Sequence, residues 1–171
     1  TFNSSITLTG EGTNLVINRQ TGVLQGATSN GSADDFFFNN GRINQSVLLG
    51  DGDDVLVNRN IVSNVIDMGA GDDHFDMVGG TVNGNVLLGS GEDTSFIIGG
   101  IITNTVQAQS GEDHVVWTGG EIIGLDMGTE TDFAHFINLT PTNLKTGLPV
   151  NGGLGTDDVL LCTNTVGGDL A

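Results

Sequence analysis

The stretch "VLLGSGEDTSFIIGGIITNT", Val86 to Thr105, decides the fold, because its order of apolar run, glycine-acid turn, apolar run and glycine pair recurs along most of the chain. Set in register on the acid turn, its copies are "GDGDDVLV" from Gly50, "GAGDDHFD" from Gly69, "GSGEDTSF" from Gly89 and "QSGEDHVV" from Gln109. Looser copies are "GSADDFFF" from Gly31, "GTETDFAHF" from Gly128 and "GLGTDDVLL" from Gly153. The aligned acids are Asp35, Asp54, Asp73, Asp93, Asp113, Asp132 and Asp157, spaced 19, 19, 20, 20, 19 and 25 residues apart. A fainter copy, "GEGTNLVI", places Asn14 21 residues before Asp35. Such a period belongs to solenoids, whose units bury their apolar faces only by stacking on one another.

Periodicity within the unit separates strand from helix. One apolar column before the turn holds Val47, Ile66, Val86, Val106 and Leu125, and another two residues on holds Leu49, Met68, Leu88, Ala108 and Met127. The place between them is Leu48, Asp67, Leu87, Gln107 and Asp126. This in-out-in alternation has a period of two, the strand signature, and β-branched residues and turn glycines agree with it. A second run follows the acid ("FFF" at Phe36, "VLV" at Val55, "VVW" at Val115), and a third follows a turn rich in Asn or Gly ("NIVSN", "GTVNGN", "GIITNT", "GEIIGL"). Three short strands in about twenty residues make one coil of a single-stranded parallel β-helix. Seven to eight coils of 19–21 residues are expected, with coils about 4.8 Å apart.

Residues 1–137 read as regular coils. From 138 to 152 the register loosens in a segment with both prolines, Pro141 and Pro149, and the sole lysine, Lys145. Proline withholds a ladder donor, so this segment reads as a loop bulging from the rod, with the coil resuming over 153–171. The N-terminus has no secretory signal pattern, no window is apolar enough for a membrane helix, and the chain is expected to be a piece of a longer one.

The 21 acidic and 4 basic side chains give a formal charge of −17, which argues against nucleic acid or an anionic membrane surface as a partner. One cysteine, Cys162, excludes an internal disulfide framework and any multi-cysteine metal site, and reads as a small apolar residue.

Two family resemblances follow from these motifs. The turns "GDGDDVL", "GAGDDHF" and "GLGTDDV" resemble the nonapeptide of calcium-binding RTX-like β-rolls, although the other half of each coil lacks the acid. The whole unit resembles the passenger region of bacterial autotransporters of the pertactin and AIDA type, best over residues 44 to 137. That likeness implies a right-handed β-helix displayed on, or released from, a Gram-negative cell. The full-length chain would then carry an outer-membrane barrel, and this passenger would act as an adhesin or secreted ligand for a host or neighbour-cell protein or glycan. It transfers no active residues.

Stacked carboxylates about 4.8 Å apart repel by roughly 0.9 kcal/mol per neighbour even in water. Asp side chains capping their own turn's N–H groups would offset this, as would Ca²⁺ held by hard oxygen ligands between coils. Calcium, if bound, is expected between Gly50 and Asp73, with Asp51, Asp53, Asp54, Asp72 and Asp73 as ligands; no other cofactor is implied. His74 and His114 share a column two coils apart, too far to share a metal, and His135 falls two places along from it. Arg19, Arg42 and Arg59 read as second-turn residues that either neutralise neighbouring Asp or, with Lys145, meet an acidic glycan or carboxylate. The loop from Pro141 to Pro149 is a further candidate contact. A carbohydrate-active β-helical enzyme would need one pair of facing carboxylates. Pairs such as Asp53/Asp54, Asp72/Asp73 and Asp157/Asp158 recur from coil to coil, which favours scaffold and a non-enzymatic chain.

Overall fold

A computed structural model describes residues 4–29, 31–140, 143 and 149–162, with only the backbone described at 160–162. The described chain is all strand and turn, wound into a parallel β-solenoid. One sheet stacks eight strands, from Ile6–Leu8 through Val86–Ser90 and Thr105–Ser110 to Val150–Asn151. A second stacks eight more, from Leu15–Asn18 through His74–Met77 and His114–Trp117 to Asp158–Cys162. A third has five two-residue strands, from Val23–Leu24 to Ile101–Ile102, and a single bridge from Ile101 to Glu121 extends it. Five turns are therefore closed by strands on three sides and a sixth by that bridge, about six in all. The expectation of seven to eight coils corresponds to the eight strands of each longer sheet.

Every pairing is parallel, and the register is the one the acid turns set: Ile66 lies beside Val47 and Val86, and Phe75 beside Leu56 and Ser95. The period-two reading holds because the pleat sends alternate side chains to opposite faces. Val47, Ile66, Val86 and Val106 are fully buried, whereas Leu48, between two interior columns, is 36% exposed. The second sheet adds Val16, Phe37, Leu56, Phe75, Ser95, Val115 and Ala134, and the third adds Leu24, Ile43, Val62, Val82, Ile102 and Ile122. At about 4.8 Å per strand, eight strands make a rod about 34 Å long.

Within 138–152, residues 141–142 and 144–148 lie outside the described residues, and with them Pro141 and Lys145. Val150–Asn151 pairs with the strand Gly124–Asp126, and Asp158–Cys162 pairs with Phe133–Ile137. No helix among the described residues is long and apolar enough to cross a membrane.

The turn glycines are required by close approach as well as by dihedral angle. Gly69 and Gly89 have φ of 113° and 122°, and a Cβ on either would collide with the carbonyl oxygen of the glycine one coil earlier. The next coil departs from this rule, with Gln109 beside Gly89 at φ 81°. A left-handed conformation costs a non-glycine residue roughly 1–2 kcal/mol, and glycine's extra unfolded-state entropy returns roughly 0.5–1. Gln109→Gly is therefore expected to stabilise the rod by up to about 1 kcal/mol, read as a rise of about 2–4 °C in thermal midpoint.

Candidate functional site

At each acid turn the chain leaves the first sheet and enters the second, and two carboxylates meet the backbone donors that the turn has taken out of the ladder. The inner acid is buried: Asp54, Asp113 and Asp132 are 0% exposed, and Asp35, Asp73 and Asp93 no more than 2%. Its backbone carbonyl still accepts from the next coil, as in His74 N–H to Asp54 O at 2.8 Å. Its N–H faces the same coil but finds no carbonyl there, and donates instead to the next inner carboxylate. Asp54 N–H reaches Asp73 Oδ1 at 2.7 Å, Asp73 N–H reaches Asp93 Oδ1 at 2.8 Å, and Asp93 N–H reaches Asp113 Oδ1 at 2.9 Å. The column starts at Asn14, whose N–H and side-chain amide both donate to Asp35 Oδ1, and runs on to Asp157.

The outer acid is exposed and points the other way along the axis. Asp34 accepts from Asp53 N–H at 3.0 Å, Asp53 from Asp72 N–H at 2.8 Å, and Asp72 from Glu92 N–H at 2.8 Å. The expected offset to carboxylate repulsion is thus present but differently placed: each acid caps a neighbouring coil's turn, not its own. The bonds tie coil to coil.

The second oxygen, Oδ2, of Asp35, Asp54, Asp73, Asp93, Asp113 and Asp132 is buried with no hydrogen-bond partner among the described residues. Desolvation, partly opposed by the backbone N–H bond, raises Asp54 to about 7, Asp73 to about 8, Asp93 to about 6 and Asp113 to about 8. Asp132 is also raised, by the same cause. Near neutral pH Asp54, Asp73, Asp93 and Asp113 are a mixture of acids and carboxylates, which limits the like-charge repulsion that a fully ionised stack would create.

The five calcium candidates do not converge. Asp54 and Asp73 turn inward and accept backbone N–H bonds, while Asp51, Asp53 and Asp72 stay outside. Among the described residues no three His, Cys, Asp or Glu side chains gather as a metal-ligand set.

A second buried ladder escaped the sequence reading. Asn18, Asn39 and Asn58 point inward at the fourth place of "LVIN", "FFFN" and "VLVN". Asn18 Nδ2 donates to Asn39 Oδ1 at 2.8 Å, Asn39 Nδ2 to Asn58 Oδ1 at 2.7 Å, and Asn58 Nδ2 to Asn60 O at 2.9 Å. The signal was an asparagine recurring in one column, hidden by reading the run as purely apolar. From Met77 onward the column turns to Ile97, Trp117 and Phe136.

This ladder sets the second turn, where Arg19 and Arg59 flank Asn40 in one column. With Gln20 and Asn60 they line an open groove of about 480 Å³. Neither arginine forms an ion pair within 4 Å among the described residues. Arg42 is displaced from this group: it opens a third-sheet strand beside Val23 and donates to Asn44 Oδ1 at 2.7 Å and Ser63 Oγ at 3.4 Å. Lys145 lies outside the described residues.

The histidines occupy the outer face of the second sheet. His74, Thr94 and His114 share a column as expected. His74 Nε2 meets Asp76 Oδ1 at 3.0 Å. His135, two places along, is brought diagonally against His114, with Nε2 and Nδ1 3.2 Å apart. The same face is apolar at its N-terminal end, with Leu15 63%, Ile17 52% and Phe36 38% exposed.

No protein-family model, curated protein or solved structure matches this chain.

A carboxyl held above its unfolded value of about 3.9 binds more protons folded than unfolded, so stability falls as pH rises across the window from about 4 to about 8. The thermal midpoint is expected to be higher at pH 5 than at pH 8.5. Asp73→Asn keeps an acceptor but removes one titration, and should show a shallower slope. Asp73→Ala strands the Asp54 N–H and should cost about 1–3 kcal/mol at every pH. The inner acids already serve the backbone, so the midpoint should also stay within about 2 °C between EDTA and about 5 mM Ca²⁺, whereas a calcium-built roll would unfold in chelator.

Proposed function

We propose that this chain is a rod-like passenger of the autotransporter type, acting outside a bacterial cell as an adhesin or secreted ligand. The partner group it takes is anionic, an acidic glycan or a carboxylate-bearing surface of a host or neighbouring cell. The observation that carries this reading is the groove between Arg19 and Arg59, two guanidiniums with no ion pair among the described residues on a chain of formal charge −17. Guanidinium offers a planar fork of donors suited to carboxylate and sulfate. Asn40 and Asn60 add amide groups to the lining.

The surrounding negative charge does not cancel the groove. The strand Val55–Asn58 separates the acid turn from Arg59 by four residues, about 13 Å of extended chain, which exceeds the Debye length of about 8 Å at physiological salt. The location outside the cell rests on the repeat's resemblance to autotransporter passengers and on the suitability of a rigid solenoid as a display surface. A binding role is favoured over catalysis because the members of two acid pairs part company: Asp54 and Asp73 are buried in the column while Asp53 and Asp72 face solvent. Neither pair forms a cleft with two facing carboxylates.

The test is binding of the purified chain to immobilised sulfated and uronic-acid glycans and to whole cells, against the double substitution Arg19→Gln with Arg59→Gln. A loss of at least about tenfold in affinity, with binding that weakens as salt rises, is expected. Cell binding of unchanged strength in the double variant would move the contact elsewhere, and absence of any binding by a folded chain would leave a spacer role.

A further inference from the structure

The contact between His114 and His135 is a product of the winding. His114 opens the strand His114–Trp117, and His135 is the third residue of the next strand, Phe133–Ile137. The two strands pair over four consecutive positions, His114 beside Phe133 through Trp117 beside Phe136, so the backbone fixes where both imidazoles start. The rings meet edge to face with centroids 4.8 Å apart and an interplanar angle of 83°. Nε2 of His114 and Nδ1 of His135 are 3.2 Å apart.

That separation suits a shared metal ion. With metal–nitrogen bonds of about 2.0–2.1 Å, two ligating nitrogens stand about 2.9 Å apart at a right angle and about 3.4 Å apart at the tetrahedral angle. The two nitrogens share a hydrogen bond at this distance, which falls between those values, so a metal ion would displace the bridging proton and turn both lone pairs off the N···N line by ring rotation, with the strand register unchanged. We propose that His114 and His135 form a two-imidazole surface site for a borderline divalent transition-metal ion of the Zn²⁺, Cu²⁺ or Ni²⁺ class, with water completing the coordination.

Three further features support the site. Imidazole pairs select these ions over Ca²⁺ and Mg²⁺, which take oxygen ligands. The −17 charge of the chain raises the local concentration of cations. Phe133 stands edge-on to His114 at 6.5 Å and Val116 is nearly buried, so one side of the pair is walled by apolar groups. The third histidine is engaged separately, with Asp76, and serves as the internal control.

The experiment is calorimetric titration of the full chain with Zn²⁺ at pH 7.5, in the presence of about 5 mM Ca²⁺ to occupy surface carboxylates and on a Cys162→Ser background to remove the thiol. One site per chain is expected, weakened at least tenfold by either His114→Gln or His135→Gln and unchanged by His74→Gln. A rise in thermal midpoint with Zn²⁺ should vanish in the same two variants, with circular dichroism confirming that each is folded. Zn²⁺ binding of equal strength in His114→Gln and His135→Gln, or no binding by the unsubstituted pair at millimolar metal, overturns the proposal.

Discussion

The axial repeat of a parallel solenoid requires every coil to present its backbone donors and acceptors to the next at about 4.8 Å, and the rest of this structure depends on meeting that demand at the turns. Along the strands the ladder meets it with backbone alone. At the acid turn the chain bends through left-handed glycines, and the inner residue's N–H no longer faces a carbonyl. A side chain with an acceptor about two bonds beyond Cβ fills the gap, which is why aspartate recurs there while glutamate appears only at outer positions such as Glu92 and Glu112.

Placing a carboxylate there has a physical consequence. One oxygen is satisfied by a backbone N–H; the other is buried without a partner among the described residues, and burial opposes ionisation. Protonation relieves part of that penalty, so the column tolerates a density of acids that an ionised stack in a dry interior would not. The outer acids remain exposed to water and cap the turns from outside. The asparagine ladder at the other end of the second sheet's strands solves the same axial problem with a neutral group, passing each Nδ2 donor to the next Oδ1 acceptor.

On this scaffold the proposed contacts fall on what the inner ladders leave outside. The strands of the second sheet separate an anionic turn from a turn that holds Arg19 and Arg59, and their outer face carries exposed apolar groups at one end and paired histidines toward the other. A rod built this way can present distinct chemistries along its length without altering its core, because outward residues alternate with interior ones and are free of the packing that fixes Phe37, Phe75 and Trp117.

The sequence by itself determined the coil and its register. Columns such as Val47, Ile66, Val86 and Val106 are forced inward by a period of two, and "GxGxD" turns fix which residues stack, so one-dimensional spacing translates directly into neighbours. Tertiary structure alone decided the rest, because it depends on diagonal or cross-coil geometry that column counting omits. It made each Asp cap a neighbouring coil, set Arg42 in a third-sheet strand apart from the turn that holds Arg19 and Arg59, and brought His135 across the pleat onto His114. A strand twists and its side chains lean, so two residues that differ by two places in register can touch, and only the wound chain shows which do.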